Sequence, residues 1–83
     1  MLRLIEMLIP EEKKTDAESI LKDDEKVFDF WYVSVSEKQV LMKILVDAEE
    51  SQTVIDKLKD NFEGYEKFRI LLFPVEASVP LPE

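Results

Sequence analysis

The stretch VFDFWYVSVSEKQVLMKILV, residues 27–46, decides the fold. Its first part, Val27–Ser36, is dense in the β-branched and aromatic residues that strands favour. Ser36–Gln39 is a polar tight turn, and Val40–Val46 is again apolar. Two such runs joined by a short polar turn predict a β-hairpin, and the rest of the chain is arranged around it.

A strand and a helix precede this hairpin. Leu2–Ile9 is a nearly continuous apolar run that ends at a proline, which is typical of a central strand buried on both faces. Glu11–Lys22 predicts a short amphipathic helix, which begins either near Glu11 or at a Thr15 cap.

A helix and a strand also follow the hairpin. Asp47 predicts the N-cap of the second helix, and apolar residues then recur at helical spacing. Gly64 lies where a left-handed C-cap is expected. Phe68–Phe73 predicts the fourth strand, which we expect to stop at Pro74.

The resulting order β-α-β-β-α-β predicts a ferredoxin-like sandwich of the α+β class, provided that the crossovers are right-handed. We expect one four-stranded antiparallel sheet in the order 4-1-3-2, with both helices on one face. Residues 1–75 form a single domain in this interpretation. Residues 76–83 form an extended, proline-containing tail or linker.

The composition excludes several classes of function. The chain has 83 residues, 11 Lys and Arg against 19 Asp and Glu, and a net charge of −8. It contains no Cys, no His and a single Gly, so disulfides, thiolate nucleophiles, structural zinc sites and glycine-rich phosphate loops are excluded. Because nucleic acids and anionic lipid surfaces are themselves negative, we expect neither nucleic-acid binding nor direct lipid binding.

The acidic residues have simpler explanations than chemistry. Asp23–Glu25 lacks the alternating spacing of a calcium loop and is predicted to be a solvated connection. Asp47, Glu49 and Glu50 cluster where carboxylates oppose a helix dipole. Asp29 stands near the start of an edge strand, where a charge discourages further strand pairing. We therefore predict no catalytic, cofactor-binding or metal-binding residue, no cofactor and no enzymatic activity.

Residue parity predicts that both faces of the sheet are apolar. One parity set is assigned to the core beneath the helices: Ile5, Met7, Ile9, Trp31, Val33, Val35, Val40, Met42, Ile44, Val46, Phe68, Ile70 and Leu72. The other set has no obvious cover within the chain, unless the tail lies across it, and an apolar patch of that extent marks an association surface. The predicted interface residues are Leu4, Glu6, Leu8, Phe28, Phe30, Leu41, Lys43, Leu45, Arg69, Leu71 and Phe73.

We expect the three charges of this interface to compensate one another. In the predicted strand order, the strand with Glu6 lies between those with Lys43 and Arg69. One carboxylate flanked by two cations is tolerable in a half-buried interface.

Three segments carry a family resemblance: MLRLIE (1–6), ILVDAEES (44–51) and FRILLFPVEASVP (68–80). Together they resemble the N-terminal soluble domain of a prokaryotic membrane-protein family, domain-of-unknown-function family 389, whose corresponding ending runs roughly P-V-E-A-T-L-P. The resemblance implies that a multi-helix membrane region normally follows and is a partner of this domain. It also implies a location at the cytoplasmic face of the cell membrane, and it carries no catalytic or ligand residue.

These observations lead to three hypotheses about function. The first is a non-enzymatic cytosolic interaction or regulatory domain of a membrane protein, homo-oligomeric and associating through its open apolar sheet face. The second is a small-molecule sensor of the ACT-like kind, in which paired sheets bind a metabolite. The third is a hydrolytic enzyme that uses Asp29 or Glu6.

Overall fold

The computed structural model describes residues 1–82 and confirms the predicted order of elements. The strands are β1 (Leu2–Pro10), β2 (Val27–Ser34), β3 (Gln39–Asp47) and β4 (Arg69–Val75). The helices are α1 (Lys14–Lys22) and α2 (Ser51–Phe62), preceded by the 3-10 turns Glu11–Lys13 and Ala48–Glu50 respectively.

The four strands form one antiparallel sheet in the order β2-β3-β1-β4, which confirms the predicted 4-1-3-2 order. The central strands β1 and β3 are paired without a break, from Leu2 opposite Asp47 to Pro10 opposite Gln39. β2 and β4 are the edge strands.

The core lies between one face of this sheet and the two helices, as predicted for a ferredoxin-like sandwich. Every second residue of β1 and β3 is buried there, which is the alternation expected for a sheet covered on one side. The buried apolar residues are Ile5, Met7, Ile9, Val40, Met42, Ile44 and Val46 from the sheet, Ala17 and Leu21 from α1, and Val54, Leu58 and Phe62 from α2. Each large side chain among them contributes about 1.5–3 kcal/mol through its burial.

A β-bulge in β2 changes which residues face this core. Val27 lies opposite Val46, whereas Asp29, two residues later, lies opposite Leu45, so the register shifts between them. Phe28 is the extra residue at that shift. Because side chains alternate along a strand, one extra residue inverts the faces of everything that follows.

The prediction for β2 is therefore wrong from the bulge onward. Phe30 lies opposite Ile44 and packs against the core instead of the open side. The hydroxyl of Tyr32 accepts a 3.2 Å hydrogen bond from Lys14 of α1, which places Tyr32 on the helix side, and this bond raises the pKa of Lys14. The β2-region residues assigned to the core are exposed instead: Trp31, Val33 and Val35.

The starts of the two helices differ in their capping. The predicted Thr15 cap is not used, because α1 begins at Lys14 without a side-chain cap after the 3-10 turn. Asp47 caps the 3-10 turn that leads into α2, since its Oδ1 accepts a hydrogen bond from the Glu49 N–H at 3.4 Å, whereas α2 itself begins at Ser51 without a side-chain cap.

Two predicted ends also differ from the structure. Gly64 does not adopt the left-handed conformation; Lys67 does, with φ of 64°. Pro74 lies inside β4 and does not end it. β4 is an edge strand, where a residue without an N–H is tolerated.

The loop between α1 and β2 is anchored, not solvated throughout. The Asp24 side chain is only 5% exposed, and it accepts hydrogen bonds from the Lys26 backbone N–H (2.9 Å) and from Nζ of Lys57 on α2 (3.0 Å). Burial raises the pKa of Asp24, but these two donors outweigh it, so that the pKa lies below its ordinary value of 3.8. Asp24 therefore ties the loop to α2.

Candidate interaction surface

The face of the sheet turned away from the helices is built from three rows of residues that run across all four strands. We call this surface the open face. In the order β2, β3, β1 and β4, the cross-strand neighbours in its rows are Asp29, Leu45, Leu4 and Phe73; Trp31, Lys43, Glu6 and Leu71; and Val33, Leu41, Leu8 and Arg69.

An ion pair lies at the centre of the open face. Lys43 and Glu6 are direct neighbours on the two central strands, in the middle row, and their Nζ and Oε2 atoms are 3.2 Å apart. The exposed fractions of their side chains are 28% and 16%. The pair is thus already partly desolvated by the apolar rows on either side of it.

The edge strands contribute the most exposed apolar side chains. Trp31 and Val33 on β2, and Leu71 and Phe73 on β4, are all more than 40% exposed. The leucines of the central strands are half-buried by their neighbours. A contiguous apolar surface that extends over four strands of so small a domain is typical of an association site.

The tail after β4 does not bury its own apolar residues. Val79 is 97% exposed and Leu81 is 74% exposed. These two side chains therefore do not pack against the open face, in contrast to the alternative that the tail covers it.

Nine of the eleven residues predicted for the interface lie together on the open face: Leu4, Glu6, Leu8, Leu41, Lys43, Leu45, Arg69, Leu71 and Phe73. Phe30 faces the core, and Phe28 lies at the bulge. Trp31 and Val33 were missed because the bulge inverts β2. No signal in the sequence marks Phe28 as an extra residue, since the run has no glycine.

The charges of the open face balance, although not in the predicted manner. Glu6 pairs with Lys43, whereas its other neighbour is Leu71, and Arg69 lies one row away beside Leu8. Among residues 1–82, Arg69 makes no ion pair within 4.0 Å. With Asp29, the surface carries two carboxylates and two cations, so the net charge of −8 resides elsewhere.

Other candidate sites gain little from the structure. The Asp29 carboxylate is exposed and accepts a hydrogen bond from the adjacent Phe30 N–H at 2.8 Å. Within residues 1–82, no group of three or more acidic side chains is placed to hold a metal ion. In the same part of the chain, no helix is long and apolar enough to cross a membrane.

A groove of about 730 Å³ lies at the end of the sheet where β1 meets α1. The β2–β3 turn and the loop before β4 complete it. Its walls carry a mixture of carboxylates and amines around one aromatic ring: Pro10, Glu11, Glu12, Ser36, Glu37, Lys38, Gln39, Tyr65, Glu66 and Lys67. It is separate from the open face.

Comparisons with known proteins support the fold. No family model matches the chain, and no curated protein matches it either. The structure is similar to the crystal structure of a DUF3240 family protein from Shewanella baltica OS155, with a TM-score of 0.78. The alignment covers 93% of this chain and 92% of that chain at 14% identity. Similarity at this level of identity shows a shared fold.

The predicted membership of domain-of-unknown-function family 389 is therefore wrong. No family model matches the chain, and the similar structure belongs to DUF3240, a different family of unknown function. The expected membrane partner and membrane-face location depended on that resemblance, and they stay predictions.

Proposed function

We propose that this chain is a non-enzymatic protein-interaction module that associates through its open face. The observation that carries the proposal is the combination of three rows of largely apolar side chains with a central, half-buried ion pair, Glu6–Lys43. Such a surface can bury apolar area against a partner without leaving an unpaired charge at its centre, because Glu6 and Lys43 neutralise each other.

Enzymatic catalysis is a weaker explanation of the charged residues on this face. Glu6 is committed to Lys43, and Asp29 is an exposed carboxylate whose hydrogen-bond donor is a backbone N–H. General acid–base catalysis needs a positioned side chain in a site that binds a substrate. Among residues 1–82, the titratable group paired with Glu6 is Lys43, which holds it in an ion pair, and Asp29 has no ion-pair partner within 4.0 Å.

Two adjacent leucines of β4 offer a matched test. Leu71 lies on the open face and is 45% exposed, whereas Leu72 lies on the helix side and is 44% exposed. Replacing each by Glu adds the same charge at the same depth, one residue apart. Both side chains are already in contact with water, so neither variant should prevent folding.

The assay is sedimentation velocity over about 5–500 μM protein. We expect the parent chain and Leu72→Glu to associate with concentration, and Leu71→Glu to remain monomeric. A parent chain that is monomeric throughout this range, or equal association of the two variants, would refute the proposal for self-association. The open face would then have to bind a different protein, and direct binding to that protein would have to be measured.

The groove at the end of the sheet supports a second candidate function, small-molecule sensing at a site within one chain and not between paired sheets as in the ACT-like hypothesis. Its mixed charges and Tyr65 provide donors, acceptors and an aromatic surface for a small polar metabolite. A thermal-shift panel of amino acids and nucleotides tests this function, because a ligand that binds the folded state raises Tm. Stabilisation that is lost in Tyr65→Ala would favour sensing; no shift across the panel would exclude these two ligand classes.

A further inference from the structure

The central ion pair restricts what can cover the open face. Glu6 and Lys43 lie on the two central strands, in the middle of the three rows, so any partner that covers the apolar rows also covers them. Taking an ion pair out of water is costly unless further polar partners are supplied. A compatible partner therefore presents a cation above Glu6 and a carboxylate above Lys43.

A second copy of the chain carries that pattern itself. Two identical sheets can stack face to face about a two-fold axis that lies between them. We consider two orientations of this axis, parallel to the strands and perpendicular to them. An axis parallel to the strands exchanges β1 and β3, and it places Lys43 of one copy over Glu6 of the other. An axis perpendicular to the strands places Glu6 over Glu6 and Lys43 over Lys43, which is repulsive.

We propose that the occupant of the open face is a second copy, related by a two-fold axis parallel to the strands. The two Glu6–Lys43 pairs then form a four-membered cluster of alternating charge at the centre of the interface. This inference rests on the proposed function. Packed sheets lie about 10 Å apart, a gap that Lys and Glu side chains from both sides can bridge.

The charge distribution restricts where two copies can meet. Each copy carries a net charge of −8, so two copies repel over most of their surfaces. The open face is the exception, because its carboxylates and cations are equal in number. Its footprint is about 20 by 20 Å at ordinary strand and residue spacings, so a dimer buries roughly 800 Å² in total, the size of a weak, transient interface. We therefore expect a reversible dimer.

Charge reversal tests the cluster. In a homodimer of the Glu6→Lys variant, all four charges of the central cluster are positive. In a homodimer of the Lys43→Glu variant, all four are negative. We expect each variant alone to have a dissociation constant raised about thirtyfold or more. An equimolar mixture should dimerise again, because the two variants then complement each other. Glu12→Lys and Lys22→Glu, both exposed outside the open face, are the matched controls and should dimerise as the parent chain does.

Restoration on mixing also shows that the two variants fold. The double variant Glu6→Lys/Lys43→Glu gives a second check, because it rebuilds both the pair within each copy and the alternating cluster. Unchanged dimerisation of the single variants, or failure of both the mixture and the double variant to dimerise, would overturn the inference. So would a trimer. If Leu71→Glu abolishes association while charge reversal does not, the proposed function stands and this inference fails.

Cross-linking distinguishes the two axes. The chain has no cysteine, so Trp31→Cys and Leu71→Cys each introduce a single thiol, at opposite ends of the middle row. The parallel axis brings position 31 of one copy over position 71 of the other, whereas the perpendicular axis brings like positions together. We expect a short bis-maleimide to give mainly the mixed product from an equimolar mixture. A predominance of 31–31 and 71–71 products would overturn the parallel arrangement.

Discussion

Asp24 is expected to be the most important charged residue for the stability of the monomer. Its carboxylate is almost fully buried, and it joins the loop before β2 to α2 by accepting hydrogen bonds from the Lys26 N–H and the Lys57 ammonium. We predict that Asp24→Ala lowers the free energy of unfolding by about 2–3 kcal/mol. The neighbouring Asp23, which is exposed, should have no comparable effect.

The magnitude follows from the two contacts. A hydrogen bond to a charged, part-buried group contributes about 1.5–3 kcal/mol, and the Lys26 N–H donates such a bond. The Lys57 side chain is 45% exposed, so solvent reduces the value of its ion pair to about 0.2–1 kcal/mol. For a domain of this size, a loss of 2–3 kcal/mol lowers Tm by roughly 10–20 °C.

Urea unfolding followed by circular dichroism measures this loss, at a protein concentration low enough to keep the chain monomeric. Lys57→Met keeps the aliphatic stem and removes only the ion pair, so it should lose less than 1 kcal/mol. Asp23→Ala should be within about 0.5 kcal/mol of the parent chain. The reasoning is refuted if Asp24→Ala loses no more than Lys57→Met.

The pH dependence provides a second readout for the same contact. Because the pKa of Asp24 is lower in the folded state than its ordinary value of 3.8, the unfolded chain takes up the proton first. The stabilisation is therefore fully present above the ordinary pKa, and it is lost as the pH falls through the lower folded pKa. The difference between the parent chain and Asp24→Ala should be constant near neutral pH and shrink below about pH 4.

Three further predictions concern the β2 register and the loop after α2. Phe30 packs against the core, so Phe30→Ala should lower the free energy of unfolding by about 2–3 kcal/mol. Trp31 is exposed, so Trp31→Ser should lower it by less than about 1 kcal/mol in the dilute monomer. Urea titrations that give the reverse order would contradict the bulge. Gly64→Ala should stabilise by about 0.4–1 kcal/mol, because the glycine has ordinary φ and open space at its Cβ, and a lower Tm would oppose this. Lys67→Gly should raise Tm slightly by relieving the left-handed conformation, and Lys67→Val should lower it.

The open face could be predicted from the sequence on three strands and not on the fourth. On β1, β3 and β4 the strands pair in continuous register, so counting residues by twos placed Leu4, Lys43 and Leu71 on one face. On β2 the same counting failed at Phe28, because a bulge is set by how two strands pair and not by either strand alone.

The contacts that join distant parts of the chain also could not be predicted from the sequence. Asp24 and Lys57 are 33 residues apart, and nothing local distinguishes Asp24 from Asp23. The left-handed residue proved to be Lys67, because the path from α2 into β4 and not residue type decided where the chain turns.

Local pattern therefore specified the order of the elements, the ferredoxin-like fold and the presence of a second apolar face. It could do so because hydrophobic periodicity and turn chemistry are written within a few residues of where they act. Tertiary structure alone decided that Trp31 faces outward, that Phe30 faces inward, and that Glu6 meets Lys43 at the centre of the open face. These outcomes depend on registers between strands, which are settled only when the whole sheet assembles.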